Sequence, residues 1–275
     1  MRKLFRWLYG IVQGALIGGG AILPGISGGV LSVLFGVYRP LMELLTHPVP
    51  AIKKHYKLFI PIGIGAGIGI LLFAKLVAEL FTAYENYAVC LFLGLIVGTI
   101  PMLYKDAGKE GRSKGGFCAM ILSFVFLLGA LLLFASLNKL SLEPNIWWYL
   151  FCGAVWGLSL IVPGLSSSSI LIFMGLYTPM SEGIGDINVS VILPVAVGII
   201  TVAVLLARPV NKLFDRHYTI ASHAIVGLVT ASAVTILPTS FSGVWDVVLC
   251  IALAAAGFFI AYLMDVWGKK LKKDQ

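Results

Sequence analysis

The stretch Gly14–Glu43, GALIGGGAILPGISGGVLSVLFGVYRPLME, returns 139 positions later as Gly153–Glu182, GAVWGLSLIVPGLSSSSILIFMGLYTPMSE. Eleven of the 30 positions are identical: Gly14, Ala15, Gly18, Ile22, Pro24, Gly25, Ser27, Gly36, Tyr38, Pro40 and Glu43. Unrelated apolar segments match leucine for valine; they do not match Pro-Gly-x-Ser and Gly-x-Tyr-x-Pro in register. The likeness is an internal repeat. In each copy Pro-Gly falls in the middle of an apolar run. Proline removes a backbone donor and crowds the preceding turn, and glycine loosens the chain. Each copy therefore reads as helix, break, helix.

Further along, the likeness resumes at an offset of 133. Phe59–Lys75 pairs with Ile192–Arg208, so that Pro61, Gly65 and Ala74 meet Pro194, Gly198 and Ala207, and Lys75 meets Arg208. The chain has 275 residues, 59% hydrophobic and 12% charged, against roughly 25% charged in soluble domains. Too little polar surface is left to cover such a chain, so lipid must solvate much of it. Runs long enough for a hydrocarbon core of about 30 Å lie at 58–75, 87–104, 117–137, 190–207, 220–238 and 245–264. Their polarity does not alternate, which indicates helices and not barrel strands. The expected fold is an all-α polytopic membrane protein with a single membrane domain. Repeat 1 (1–139) and repeat 2 (140–275) each hold a re-entrant broken hairpin followed by three transmembrane helices.

Charge placement predicts how the repeats face. If each broken segment enters and leaves on one side and the N-terminus is inside, 18 of the 20 Lys and Arg lie inside; only Lys75 and Lys139 lie outside. If each broken segment crosses, the split is 12 to 8. The excess of inside cations favours the first arrangement. Three crossings per half is an odd number, so the second repeat is expected to be inverted, with both termini cytoplasmic in a bacterial plasma (inner) membrane. A full two-span hairpin has the same parity. However, the arm Tyr9–Leu23 has 15 residues, about 22 Å of helix, which falls short of a comfortable crossing. Arg2, Lys3 and Arg6 before an apolar run have the form of a signal peptide. Recurrence of that run in the second half leads us to expect it to be retained.

Hairpins entering from opposite faces meet near the midplane, where irregular backbone is tolerated only inside protein or along a cavity. Inverted repeats with discontinuous helices are a transporter pattern. After the breaks come Ser27-Gly28-Gly29 and Ser166-Ser167-Ser168-Ser169. Free N–H groups, hydroxyls and the positive end of a half-helix there suit an anion, phosphate above all. The candidate phosphate site is Gly25, Ser27, Gly28, Gly29, Gly164, Ser166, Ser167 and Ser168, with Arg39 beside it. The competing reading is close helix packing by small residues, favoured for Gly14, Gly18, Gly153 and Gly157. Arg39 either meets phosphate on the cytoplasmic side or snorkels to the interface. The repeat mates Glu43 and Glu182 are candidates for proton coupling, or else solvated interface acids. Lys75 and Arg208 read as interface anchors at span ends.

Other chemistries lack their residues. Cys90, Cys118, Cys152 and Cys250 form no CxxC or Cys/His pattern, and His47, His55, His217 and His223 show no metal spacing, so no metal or cofactor is expected. No nucleotide-binding loop is present, and no serine has a base nearby in sequence, so an enzyme is not expected. The net charge of +8 comes from residues flanking apolar spans, which serve topology and anionic headgroups and imply no nucleic acid.

Pro24-Gly25-Ile26-Ser27-Gly28-Gly29 with Gly36-Val37-Tyr38, and its copy Pro163-Gly164-Leu165-Ser166 with Gly175-Leu176-Tyr177, resemble the bacterial polyprenyl-phosphate transporter family. The resemblance covers essentially the whole chain. It implies a lipid-phosphate translocase (flippase) returning undecaprenyl phosphate from the outer to the inner leaflet, so that the cell-envelope lipid carrier is reused. The implied partners are a polyprenyl phosphate and membrane lipids; a homodimer is left open. Members commonly carry an acid three positions before the first motif proline, where this chain has Ala21, and glycine or mixed small residues where it has Ser167-Ser168. The rival readings are a transporter or channel for a small inorganic anion and a non-transporting envelope scaffold.

Overall fold

The computed structural model describes residues 2–23, 31–32, 35–37, 40–41, 43–44, 48–137, 143–162 and 167–273. They form α1 (Arg2–Ile22), α2 (Pro48–Ala107), α3 (Lys114–Leu137), α4 (Ile146–Ile161), α5 (Ser167–Phe173), α6 (Tyr177–Gly185), α7 (Val189–Thr235) and α8 (Val244–Lys273). Among the described residues five stretches are long and apolar enough to cross a membrane: Val49–Ala107, Lys114–Leu133, Val189–Val210, Lys212–Thr235 and Val244–Met264. The protein is an all-α polytopic membrane protein.

The helix α2 is not one rod. Its 60 residues would make a straight helix of about 90 Å, three times the hydrocarbon thickness. The backbone leaves helical geometry at His55 and again at Tyr84 (φ −145°, ψ 51°). Phe81 and Phe92 stack with ring centroids 5.5 Å apart, although a straight helix would separate them by about 16 Å. The chain therefore doubles back at Tyr84, and arms 56–83 and 85–107 form a helical hairpin. In α7 the break falls at His217 (φ −138°, ψ 46°), the repeat mate of Tyr84 at the offset of 133.

Other local geometry also repeats. Gly36 and Gly175 both have φ +70°, a left-handed turn that glycine takes without a Cβ penalty. Around them Val37 N–H donates to the Ser32 carbonyl and Leu176 N–H to the Leu171 carbonyl, each at 2.9 Å. The pair Leu41 to Val37 and Met180 to Leu176 follows, each at 3.1 Å. Gly14 and Gly18 of α1 press on the backbone of Ile62 and Ala66; Gly153 and Gly157 of α4 press on that of Val195 and Ile199. A Cβ at Gly14, Gly18 or Gly153 would overlap a neighbouring main chain. The packing role expected for these four glycines is what they have.

The two copies exchange their last helices. α3 packs on arm 218–235 of α7: Gly227 meets Met120, and the Ser123 hydroxyl donates to the Ala224 carbonyl at 2.8 Å. Reciprocally, α8 packs on arm 85–107 of α2: Gly94 meets Ala254, and the Tyr87 hydroxyl donates to Asp246 at 2.7 Å. The arms 85–107 and 218–235 touch as well. The Tyr218 hydroxyl donates to the Asp106 carbonyl at 3.2 Å, and the Tyr104 and His223 rings lie 6.1 Å apart. Numbers rise along one arm as they fall along the other, so these repeat mates run antiparallel.

Three helix ends differ from the sequence reading. Lys75 and Arg208 do not end their helical arms, because α2 runs on to Tyr84 and α7 to His217. Residues 76–83, LVAELFTA, hold no breaker and continue the turn. The span expected to reach 238 stops at Thr235, since the position before Pro238 disfavours the helical region.

Candidate functional site

The broken segments bring their described ends together in the core. α1 closes with Leu23 N–H donating to the Gly19 carbonyl at 2.9 Å, and α4 with Val162 N–H donating to the Leu158 carbonyl at 2.8 Å. These are repeat mates, each just before its proline. Beyond the second break, α5 starts at Ser167, so Ser167-Ser168 occupy its first turn as expected. Gly25, Ser27, Gly28, Gly29, Arg39, Gly164 and Ser166 lie outside the described residues.

A narrow cleft with room for about one water molecule, partly open to the outside, lies between the copies. Ala21 and Ile22 line it from the first copy; Trp156, Ser167, Ser168, Leu171, Tyr177 and Met180 line it from the second. Across this boundary the Tyr177 hydroxyl donates to the Ile22 carbonyl at 2.6 Å. α1 ends at Ile22, two residues before Pro24, and a buried carbonyl in a last turn needs a partner. Tyr177, 2% exposed, supplies it. The serines are buried and bonded: Ser167 to Ser159 at 3.1 Å, and Ser169 donating to Ser232 at 2.9 Å. The structure thus brings Ser167 and Ser168 to a cavity that also touches the end of α1. Reading the sequence missed the lining by Tyr177, Trp156 and Met180. The repeated Gly-x-Tyr was the available signal for Tyr177.

The acidic mates have different surroundings. Glu43 accepts from Lys54 Nζ at 3.0 Å and lies 3.0 Å from His55 Nε2. Its bond to Lys54, then that to His55, holds its carboxyl below the ordinary carboxylate value. Glu182 is exposed and accepts from the Thr82 hydroxyl at 3.2 Å. Among the described residues Glu182 makes no ion pair. Neither acid lines the cavity. Among the described residues no cluster of three or more His, Cys, Asp or Glu could hold a metal ion.

A family model described as undecaprenyl phosphate translocase-like matches residues 3–115 and 56–248. The chain is 24% identical over 260 residues to a protein of Vibrio cholerae serotype O1 named polyprenyl-phosphate transporter, covering 89% of this chain and 82% of that protein. It is 22% identical over 247 residues to a protein of the same name from Staphylococcus aureus, covering 85% and 87%. No solved structure matches significantly. With the two matched ranges together running from residue 3 to residue 248, the chain belongs to the undecaprenyl phosphate translocase-like family.

Proposed function

We propose that this protein transports a polyprenyl phosphate across the bacterial plasma membrane, from outer to inner leaflet, with its two repeats facing opposite ways and both termini in the cytoplasm. The observation that carries the reading is the meeting of the two broken segments at one cavity, where the Tyr177 hydroxyl binds the Ile22 carbonyl beside Ser167 and Ser168. The names of the two relatives support the substrate class. The antiparallel run of arms 85–107 and 218–235 supports inversion.

The chemistry is coherent. A phosphate headgroup is costly to take into hydrocarbon unpaired. Backbone N–H groups and hydroxyls at the tips, from Gly25, Ser27, Gly28 and Gly29 and from Gly164, Ser166, Ser167 and Ser168, replace its water. The polyprenyl tail stays in lipid, so the site needs an opening toward the membrane and no aqueous pore. Arg39 meets the headgroup on the cytoplasmic side. Glu43, tied to Lys54 and His55, and Glu182, tied to Thr82, are the candidates for proton coupling.

The test compares lipid exchange with ion flux in proteoliposomes. The native chain is expected to move polyprenyl phosphate between leaflets while leaving radiolabelled inorganic phosphate where it was. Flux of inorganic phosphate without lipid exchange would replace this reading with that of a small-anion carrier.

A further inference from the structure

Lys75 and Arg208 are repeat mates on the first arms of α2 and α7, and both are exposed. Arg208 stands among exposed apolar residues, with Val204 and Leu205 71% and 65% exposed; Lys75 stands at the edge of such a face, with Leu72 and Leu76 63% and 54% exposed and Gly185 of α6 packed on its backbone. Among the described residues neither cation has an acid within ion-pair distance; the three ion pairs seen there involve Lys54, His55 and Lys109. Glu79 lies one turn beyond Lys75, and Glu182 and Asp186 lie on and just after α6, where Gly185 packs against Lys75; none of the three makes an ion pair with it. A cation in such a place needs an anion or the interface.

Position distinguishes these two from ordinary flanking charges. Each lies nine residues from the break that ends its arm, Tyr84 or His217, about 13 Å along the helix. The two breaks sit at opposite ends of arm 85–107, which starts after Tyr84 and reaches Tyr218 through the Asp106 carbonyl. That arm is about 33 Å long. One cation therefore serves each side of the molecule, at a depth from which a long side chain reaches the headgroup layer. Lys75 is also tied to the cavity: its backbone lies against Gly185 at the end of α6. The first residue of α6, Tyr177, lines the cavity, about 12 Å back along the helix.

We propose that Lys75 and Arg208 are a symmetry-related pair of headgroup anchors, each binding the phosphate of a lipid phosphate at its own leaflet as the lipid arrives at or leaves the central cavity. The proposal rests on the transport reading above and adds to it where the substrate docks. Lys75 acts on the outer side and Arg208 on the inner side. A phosphate at Lys75 has a short path along α6 to Tyr177, Ser167 and Ser168.

The test is equilibrium binding of a polyprenyl phosphate to the purified full chain in nanodiscs of phosphatidylethanolamine and phosphatidylglycerol. Lys75→Gln and Arg208→Gln are each expected to weaken binding about tenfold, while Lys75→Arg stays within about threefold of native. Inorganic phosphate at the same concentration is expected to displace none of the lipid. Native-like binding by both Gln variants, in a native chain that binds and exchanges the lipid, overturns the anchors and leaves the transport reading standing. Weakened binding by both, in a native chain that fails to exchange the lipid, keeps the anchors and removes transport. Displacement by inorganic phosphate overturns a lipid-specific anchor, and a native chain that does not bind the lipid overturns both.

Discussion

At the scale of single residues, the buried contact from Tyr177 to Ile22 joins the copies where the proposed path runs. Tyr177→Phe keeps the ring, which packs edge-on against Phe81 with centroids 5.5 Å apart, but leaves a buried carbonyl unsatisfied. The expected loss is about 1–3 kcal/mol, read as a lower melting temperature of the purified chain in detergent. A melting temperature equal to native would show that water or another donor replaces the hydroxyl. Glu43 makes a second prediction, with its sign set by linkage. Its carboxyl is held below its ordinary value of 4.5 by Lys54 and His55. The contribution to stability is therefore fully present above pH 4.5 and fades as the pH falls through the lowered value. Thermal melts should separate native from Glu43→Gln at pH 7 and bring the two together in strong acid. A constant gap across that range would assign the difference to something other than ionisation.

Residue-level legibility was uneven for physical reasons. Gly14, Gly18 and Gly153 could be read as packing residues because a small residue one helical turn from another, on an apolar arm, has few other uses. The partners of Glu43 could not be read, since Lys54 and His55 lie 11 and 12 positions away and a separation of that size announces no contact. The bond from Tyr177 to Ile22 spans 155 positions. Nothing in a tyrosine announces which distant carbonyl it will meet.

At the scale of elements, the helix–break–helix pattern was legible from Pro24 and Pro163, whereas the reversals at Tyr84 and His217 carry no proline or glycine. Only the length limit set by the bilayer required a turn in that region. The exchange of final helices was hidden because α3 and α8 are apolar around most of their circumference, so their composition does not choose a neighbour. It makes its own prediction at Gly227, where a side chain would collide with Met120 and the Ser123 hydroxyl. Gly227→Leu should displace α3 and cost at least about 1–3 kcal/mol, read as lower melting temperature. The same change at Gly129, which has open space around it, should leave the melting temperature close to native.

At the scale of the whole molecule, the exchange interlocks the copies: α3 of the first lies on α7 of the second, and α8 of the second lies on α2 of the first. Fragments 1–139 and 140–275 each leave an arm without its covering helix. Expressed alone, each fragment should be degraded; expressed together, they should purify as a pair through a tag on one of them. Independent accumulation of either fragment would show two self-sufficient domains.

The most direct measurement of the central claim is the leaflet-exchange rate of undecaprenyl phosphate in proteoliposomes holding the native chain, Ser27→Trp, Ser166→Trp or the double variant. The account predicts exchange by the native chain well above protein-free vesicles, lowered about 10²-fold or more in each single variant, with little further loss in the double because one headgroup passes both tips. Exchange that survives in the double variant, or a native chain no faster than empty vesicles under proton gradients of either sign, would contradict it.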